Sequence, residues 1–161
     1  MGGGTIVFSA ISAVDIALWD IRGKALNVPV YQLLGGKTND KLRAYASQIQ
    51  FDWGPICAPM VTPEDYASAA RKAMAEGYTA VKVDPVGFNM KGNWMEWSNY
   101  GLLEYDQMKA AVDRVAAIRE AGGPGLDIII ELHSLTDTNK AIQLGRELEQ
   151  YRCTYYEEQT Q

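Results

Sequence analysis

The stretch Leu126-Asp127-Ile128-Ile129-Ile130-Glu131-Leu132-His133 decides the fold. Its centre is an uninterrupted apolar run, the composition of a strand buried on both faces of a parallel sheet. Gly122-Gly123-Pro124-Gly125 breaks the chain just before it. Helical spacing lies on either side. Residues 104–121 carry Met108, Val112, Val115 and Ile118 on one stripe, and residues 137–150 form a further helix. Working towards the N-terminus, residues 85–103 read as a long loop with Gly87, Gly92, Trp94, Trp97, Tyr100 and Gly101. Residues 78–83 read as a strand closed by Pro85, and Thr62-Pro63-Glu64-Asp65 opens a helix that Gly77 ends. There Thr62 suits the cap, Pro63 the first helical position and Asp65 the reciprocal capping bond. Residues 51–62 form a loop, residues 42–49 a first strand, and residues 153–157 a last strand. Strands alternating with helices of this length imply an α/β fold of parallel, right-handed βαβ units.

The first third is different. Residues 9–26 read as a helix with a wide apolar surface of Ile11, Val14, Ile16, Ala17, Leu18, Ile21 and Ala25. Val28-Pro29-Val30 stops it, because a proline disfavours helix at the residue before it. A turn at residues 31–34 leads to the break Gly35-Gly36.

Composition removes several functions. The chain has 161 residues, 15 Lys+Arg against 20 Asp+Glu, and a net charge of −5. No basic cluster is present to neutralise phosphates, so a nucleic-acid partner is not expected. No apolar run approaches the roughly 18–20 residues a membrane span needs, so no membrane partner is expected either. The start, Met1-Gly2-Gly3-Gly4-Thr5, lacks the charged region and cleavage site of a signal peptide, and the expected compartment is the cytoplasm. Cys57 and Cys153 have neither metal nor redox spacing and read as inert thiols. A single histidine, His133, limits the acid–base chemistry available near neutral pH.

Ionisable groups stand where structural strands would stay apolar. Residues 78–83 run into Lys82-Val83-Asp84, residues 126–132 into Glu131-Leu132-His133, and residues 153–157 into Glu157-Glu158. Side chains two apart on a strand share a face. Lys82 and Asp84 therefore point together, as do Glu131 and His133. Neighbouring parallel strands bring such ends within about 5 Å. Glu131 and Glu157 suit a hard cation such as Mg²⁺. A metal beside a substrate carboxylate would stabilise the enediolate formed by loss of the adjacent proton, with Lys82 adding positive charge. His133 is placed to give a proton to a leaving hydroxyl. Each residue also has a plain structural reading. Lys82 and Asp84 make an ion pair, His133 a satisfied core histidine, Glu157-Glu158 a solvated pair, and Trp94 and Trp97 packing groups. The coincidence of three successive strand ends carrying ionisable groups favours the functional reading.

A family resemblance bears on the choice. The segment from Ser12-Ala13-Val14-Asp15-Ile16-Ala17-Leu18-Trp19-Asp20-Ile21-Arg22-Gly23 to Val28-Pro29-Val30-Tyr31-Gln32-Leu33-Leu34-Gly35-Gly36 resembles the end of the helical capping domain in the mandelate racemase branch of the enolase superfamily. Ala80-Val81-Lys82-Val83-Asp84-Pro85 is similar to that family's second-strand motif, often Lys-x-Lys, with Asp84 in place of the second lysine. Glu131-Leu132-His133 resembles the third-strand pattern of the sugar-acid dehydratases, galactonate-type enzymes among them, in which the metal ligand is commonly Asp. Tyr156-Glu157-Glu158 resembles the fourth-strand segment, with Gln159 where a proline usually follows.

The resemblance implies the last helix of a capping domain over residues 1–37 and about the first four strands of a (β/α) TIM-type barrel over residues 38–161. It implies Mg²⁺ held by Glu131 and Glu157, with His133, Lys82 and Asp84 in the catalytic pocket. The implied activity is a hydro-lyase acting on a small-molecule sugar acid. A racemase, epimerase or cycloisomerase of the same superfamily, or a non-catalytic truncated remnant, is the alternative. The family's chains are roughly twice as long, so a fragment is expected, inactive or nearly so alone. Its third carboxylate ligand and its general base are expected outside these residues. An unclosed barrel would expose an apolar edge, which favours association as a homo-oligomer.

Overall fold

The apolar run around Ile129 becomes the middle strand of a three-stranded parallel sheet. Strands β1 (Ala80–Val83), β2 (Asp127–Glu131) and β3 (Tyr155–Glu157) lie in the order β1-β2-β3. Lys82 is in register with Ile129, and Glu131 with Glu157. The computed structural model describes residues 4–55, 57–94, 101–134 and 136–160. The chain divides into two units, Met1–Arg43 and Ala44–Gln161.

The smaller unit holds α1 (Gly4–Leu26) and α2 (Val30–Leu33). Pro29 ends the first helix, and Val28 N–H returns to Gly23 O at 3.0 Å. Gly23 is required at that return, because a β-carbon there would come within 2.9 Å of Val28 O. Helix α1 begins earlier than the expected residue 9, and the expected turn at 31–34 is a helical turn. A further correction concerns length. Asp15 and Asp20 interrupt the apolar run, yet the 23-residue helix as a whole is long and apolar enough to cross a membrane.

In the larger unit, α3 (Pro63–Ala75), α4 (Tyr105–Gly122) and α5 (Thr138–Leu148) follow the βα alternation. The capping expected at Thr62 is present: Thr62 Oγ1 accepts from Asp65 N–H at 3.2 Å and Asp65 Oδ2 accepts from Thr62 N–H at 2.7 Å. The pleat sorts the strands. Val81, Val83, Ile128 and Ile130 are fully buried in one core with Ala69, Ala70, Ala73, Ala111, Val115, Ile118, Leu144 and Leu148. The alternate positions, Lys82, Ile129, Glu131 and Glu157, share the other face. Ile129 is only half-buried, so the middle strand is less enclosed than its composition suggests.

Two expectations need correction. The strand expected at residues 42–49 contributes one parallel bridge, Ala46 to Val81, and then a 3-10 turn, Ile49–Phe51. Left-handed backbone at Gln48, φ 56°, ends any extended run there. The inner stripe of α4 also includes a charge. Arg114 is 1% exposed and donates to Val61 O (Nη2, 2.9 Å), Pro85 O (2.8 Å) and Phe88 O (2.8 Å), with its guanidinium 5.0 Å from the centre of the Tyr66 ring. Arg114 thus ties the loop before α3 and the loop after β1 to α4.

Candidate active site at the carboxyl ends of the strands

The residues singled out from the sequence come together at the carboxyl ends of β1, β2 and β3. Lys82 Nζ lies 3.0 Å from Glu131 Oε2 and 3.3 Å from Glu157 Oε2. His133 follows β2, with Nε2 3.7 Å from Glu131 Oε1 and Nδ1 3.6 Å from Asp84 Oδ2. Lys82, Asp84 and Glu131 are buried, whereas the Glu157 and His133 side chains are each 29% exposed. The register explains the meeting of the carboxylates, since Glu131 is paired directly with Glu157 and Lys82 reaches up from its neighbour.

The local backbone aims these groups. His133 and Ser134 have φ of 51° and 56°, and Glu158 has φ 47°. Left-handed non-glycine residues are costly and gather where a side chain must be held in place. Ser134 N–H donates to Glu158 O at 2.6 Å, which joins the ends of β2 and β3. Asp84 starts a turn of its own, with Oδ1 accepting from Val86 N–H at 2.9 Å. A β-carbon at Gly87 would sit 2.9 Å from the Trp94 ring and 3.1 Å from Asp84 Oδ2, so only glycine lets that loop close over the carboxylate. Trp94 stacks on Phe51 and meets Phe88 edge-on, in keeping with a packing role. Trp97 lies outside the described residues.

Electrostatics follow from this crowd of carboxylates. Burial works against the Lys82 ammonium, but hydrogen bonds to Glu131, Tyr45 and Glu157 outweigh it and raise the pKa above its ordinary value. The Tyr45 ring lies 5.2 Å below the same ammonium. The His133 pKa is raised chiefly by Asp84, against partial burial, with Glu131 and Glu158 adding to the rise. The mouth therefore favours positive charge.

Fit to a divalent cation rests on that arrangement. The Lys82 ammonium stands at a point where two carboxylates converge, and their oxygens are the donors a hard cation takes. The donor chemistry fits Mg²⁺. The number is two, since among the described residues no cluster of three His, Cys, Asp or Glu is arranged to hold a metal.

Two residues were missed in the sequence. Gln50 is fully buried, and its Oε1 accepts from Asp84 N–H at 3.2 Å. Gln48 Nε2 lies 3.4 Å from His133 Nε2. The signal available was Gln48-Ile49-Gln50, polar positions two apart at the end of a β-compatible stretch, the same spacing as Lys82 and Asp84.

Comparison with known proteins decides the family. Residues 65–161 match the enolase C-terminal domain-like model, and residues 3–35 match the mandelate racemase/muconate lactonizing enzyme N-terminal domain. The chain belongs to the mandelate racemase/muconate lactonizing enzyme family. Within that family, α1 falls in the N-terminal domain and the three strands in the enolase-type barrel domain. Relatives include the D-gluconate/D-galactonate dehydratase of Picrophilus torridus, 39% identical over 93% of this chain and 34% of its own length. The D-galactonate dehydratase of Pectobacterium atrosepticum is 36% identical over 97% of this chain and 36% of its own. A crystal structure of an enolase-superfamily member from Salmonella Typhimurium is 51% identical with a TM-score of 0.88, over 92% of this chain and 38% of that one. The chain spans about a third of the length of the curated relatives it matches, so they are nearer three times its length than the expected twice. The partial barrel expected from the sequence is thus the fold.

Proposed function

We propose that the mouth formed by Lys82, Asp84, Glu131, His133 and Glu157 is part of the site of a Mg²⁺-dependent acid-sugar dehydratase. The observation that carries this reading is the convergence of Glu131 and Glu157 on one cation, with an imidazole beside them. The relatives named as gluconate and galactonate dehydratases support an aldonate as substrate class. Residues 1–37 would be the end of the cap and residues 38–161 the first part of the barrel. A cytoplasmic metabolic role and a homo-oligomer complete the reading. The placement of α1 in the family's N-terminal domain favours a cap helix over a membrane span.

Glu131 and Glu157 would hold the metal. Bound there, Mg²⁺ would offset the charge that develops on the substrate carboxylate when the adjacent proton leaves. Lys82 keeps the two carboxylates together and adds positive charge to the same region. His133 delivers a proton to the departing β-hydroxyl, which leaves as water. The product is the 2-oxo-3-deoxy acid after the enol takes up a proton. Asp84 replaces the second lysine of the family's common motif, which disfavours a racemase that would use a lysine there as its base.

The one imidazole serves as the acid in this scheme, and Lys82 is locked between carboxylates. The isolated chain is therefore expected to turn over an aldonate weakly or not at all. The binding half of the reading is tested by Mg²⁺ titration calorimetry. Weak binding that vanishes in both Glu131→Gln and Glu157→Gln supports it. Equal binding in the wild-type chain and both variants overturns it.

A further inference from the structure

Both nitrogens of the His133 ring are approached by side chains from other elements. Nδ1 faces Asp84 Oδ2 at 3.6 Å, and Nε2 lies 3.4 Å from Gln48 Nε2, nearer than Glu131 Oε1 at 3.7 Å. An amide nitrogen has hydrogens to give and no lone pair to receive. Gln48 is thus the donor, and His133 Nε2 the acceptor. A neutral imidazole that accepts at Nε2 carries its own proton on Nδ1, directed at Asp84.

Asp84 is built to receive it. The residue is 1% exposed. Its N–H is held by Gln50 Oε1 and its Oδ1 by Val86 N–H. Oδ2, sealed from solvent, has no hydrogen-bond donor within bonding distance among the described residues. A movement of a few tenths of an ångström brings the 3.6 Å separation into hydrogen-bond range, and such contacts are often long before a substrate is bound.

We propose that Asp84 and Gln48 are positioning residues that hold the neutral His133 ring as its Nδ1–H tautomer, with Nε2 presented to the mouth. The inference deepens the reading of His133 as the acid and rests on it. As the acid, His133 starts as the imidazolium; the departing hydroxyl takes the place of the Gln48 amide and receives the Nε2 proton, which leaves the ring as the Nδ1–H tautomer that Asp84 holds. Gln50 acts one step further back, by fixing the backbone of Asp84.

The test uses the single histidine of the chain, which gives one imidazole signal set without site-specific labelling. Long-range ¹H–¹⁵N spectra of the ¹⁵N-labelled chain are recorded at a pH where the ring is neutral. Nδ1 is expected to show the shift of a protonated nitrogen and Nε2 that of an unprotonated one, the reverse of the preference of free histidine. Asp84→Ala is expected to lower the ratio of Nδ1–H to Nε2–H about tenfold, the effect of one hydrogen bond. Gln48→Ala, at a half-buried position, is expected to shift it less in the same direction. A wild-type ring protonated on Nε2 overturns the proposal, as does an unchanged ratio in Asp84→Ala. If Asp84→Ala does not fold, an unchanged ratio in Gln48→Ala does the same. Turnover and Mg²⁺ play no part in the measurement, so its failure is distinct from a failure of the dehydratase reading.

Discussion

Lys82 holds together two carboxylates that would otherwise repel. Replacing it with a methionine of similar length leaves Glu131 buried with its charge unmet. The expected cost is about 3 kcal/mol, since removing one partner of a buried pair strands the other. Added Mg²⁺ should recover part of that loss in Lys82→Met and give a smaller gain in the wild-type chain. Urea unfolding with and without Mg²⁺ checks this, and a variant indifferent to Mg²⁺ would show that the two carboxylates do not share a cation. At this scale the sequence was informative where chemistry repeats along a strand. Glu131 and His133, two apart, and Lys82 and Asp84, two apart, meet at one mouth as their spacing requires. Gln48 and Gln50 were not legible, because their importance comes from partners 85 and 34 residues away.

Among the elements, α3 shows how local chemistry sets a boundary. Thr62→Ala should cost about 1 kcal/mol, the usual loss for a removed cap. Asp65 gives the cap a pH dependence. Partial burial pushes its carboxyl up, but the N–H groups of Thr62 and Val61, the Thr62 hydroxyl and the Arg114 charge reverse this and hold it below its ordinary value. A depressed carboxyl contributes stability that is complete above the unfolded value of about 3.9 and fades as the pH falls through the lower folded value. Acid unfolding followed by circular dichroism should therefore lose a step below about pH 4 in Asp65→Asn relative to the wild-type chain. Arg114→Met tests the other end of the unit. It removes the donors of Val61 O, Pro85 O and Phe88 O, and a loss of about 3 kcal/mol or more is expected from bonds to a charged group. Limited proteolysis should then cut the loop after β1 before the helices melt. The helices were legible because caps and breaks are local. The strand expected at residues 42–49 was not, because a strand exists only where a partner pairs with it, and here Ala46 alone does.

The larger unit is a βα alternation whose sheet has an outer strand, β3, paired only with β2 among the described residues. Tyr155 on that strand is 55% exposed, and Ile142 on α5 is 49% exposed. Unpaired strand edges invite association, and a charge placed there discourages it. Tyr155→Lys is expected to lower the average mass of the chain in sedimentation velocity at high concentration. An unchanged distribution would locate association elsewhere. The fold class was legible at this scale because the apolar run around Ile129 and the intervals between breaks allow few other topologies. Of the seven left-handed non-glycine residues among those described, four, Gln48, His133, Ser134 and Glu158, lie at the end where the ionisable groups meet. Glycine at position 134 would make the chain sturdier by relaxing that tension. It would also let the imidazole wander, so under the proposed function heat resistance and the aim of His133 are set against each other at a single serine.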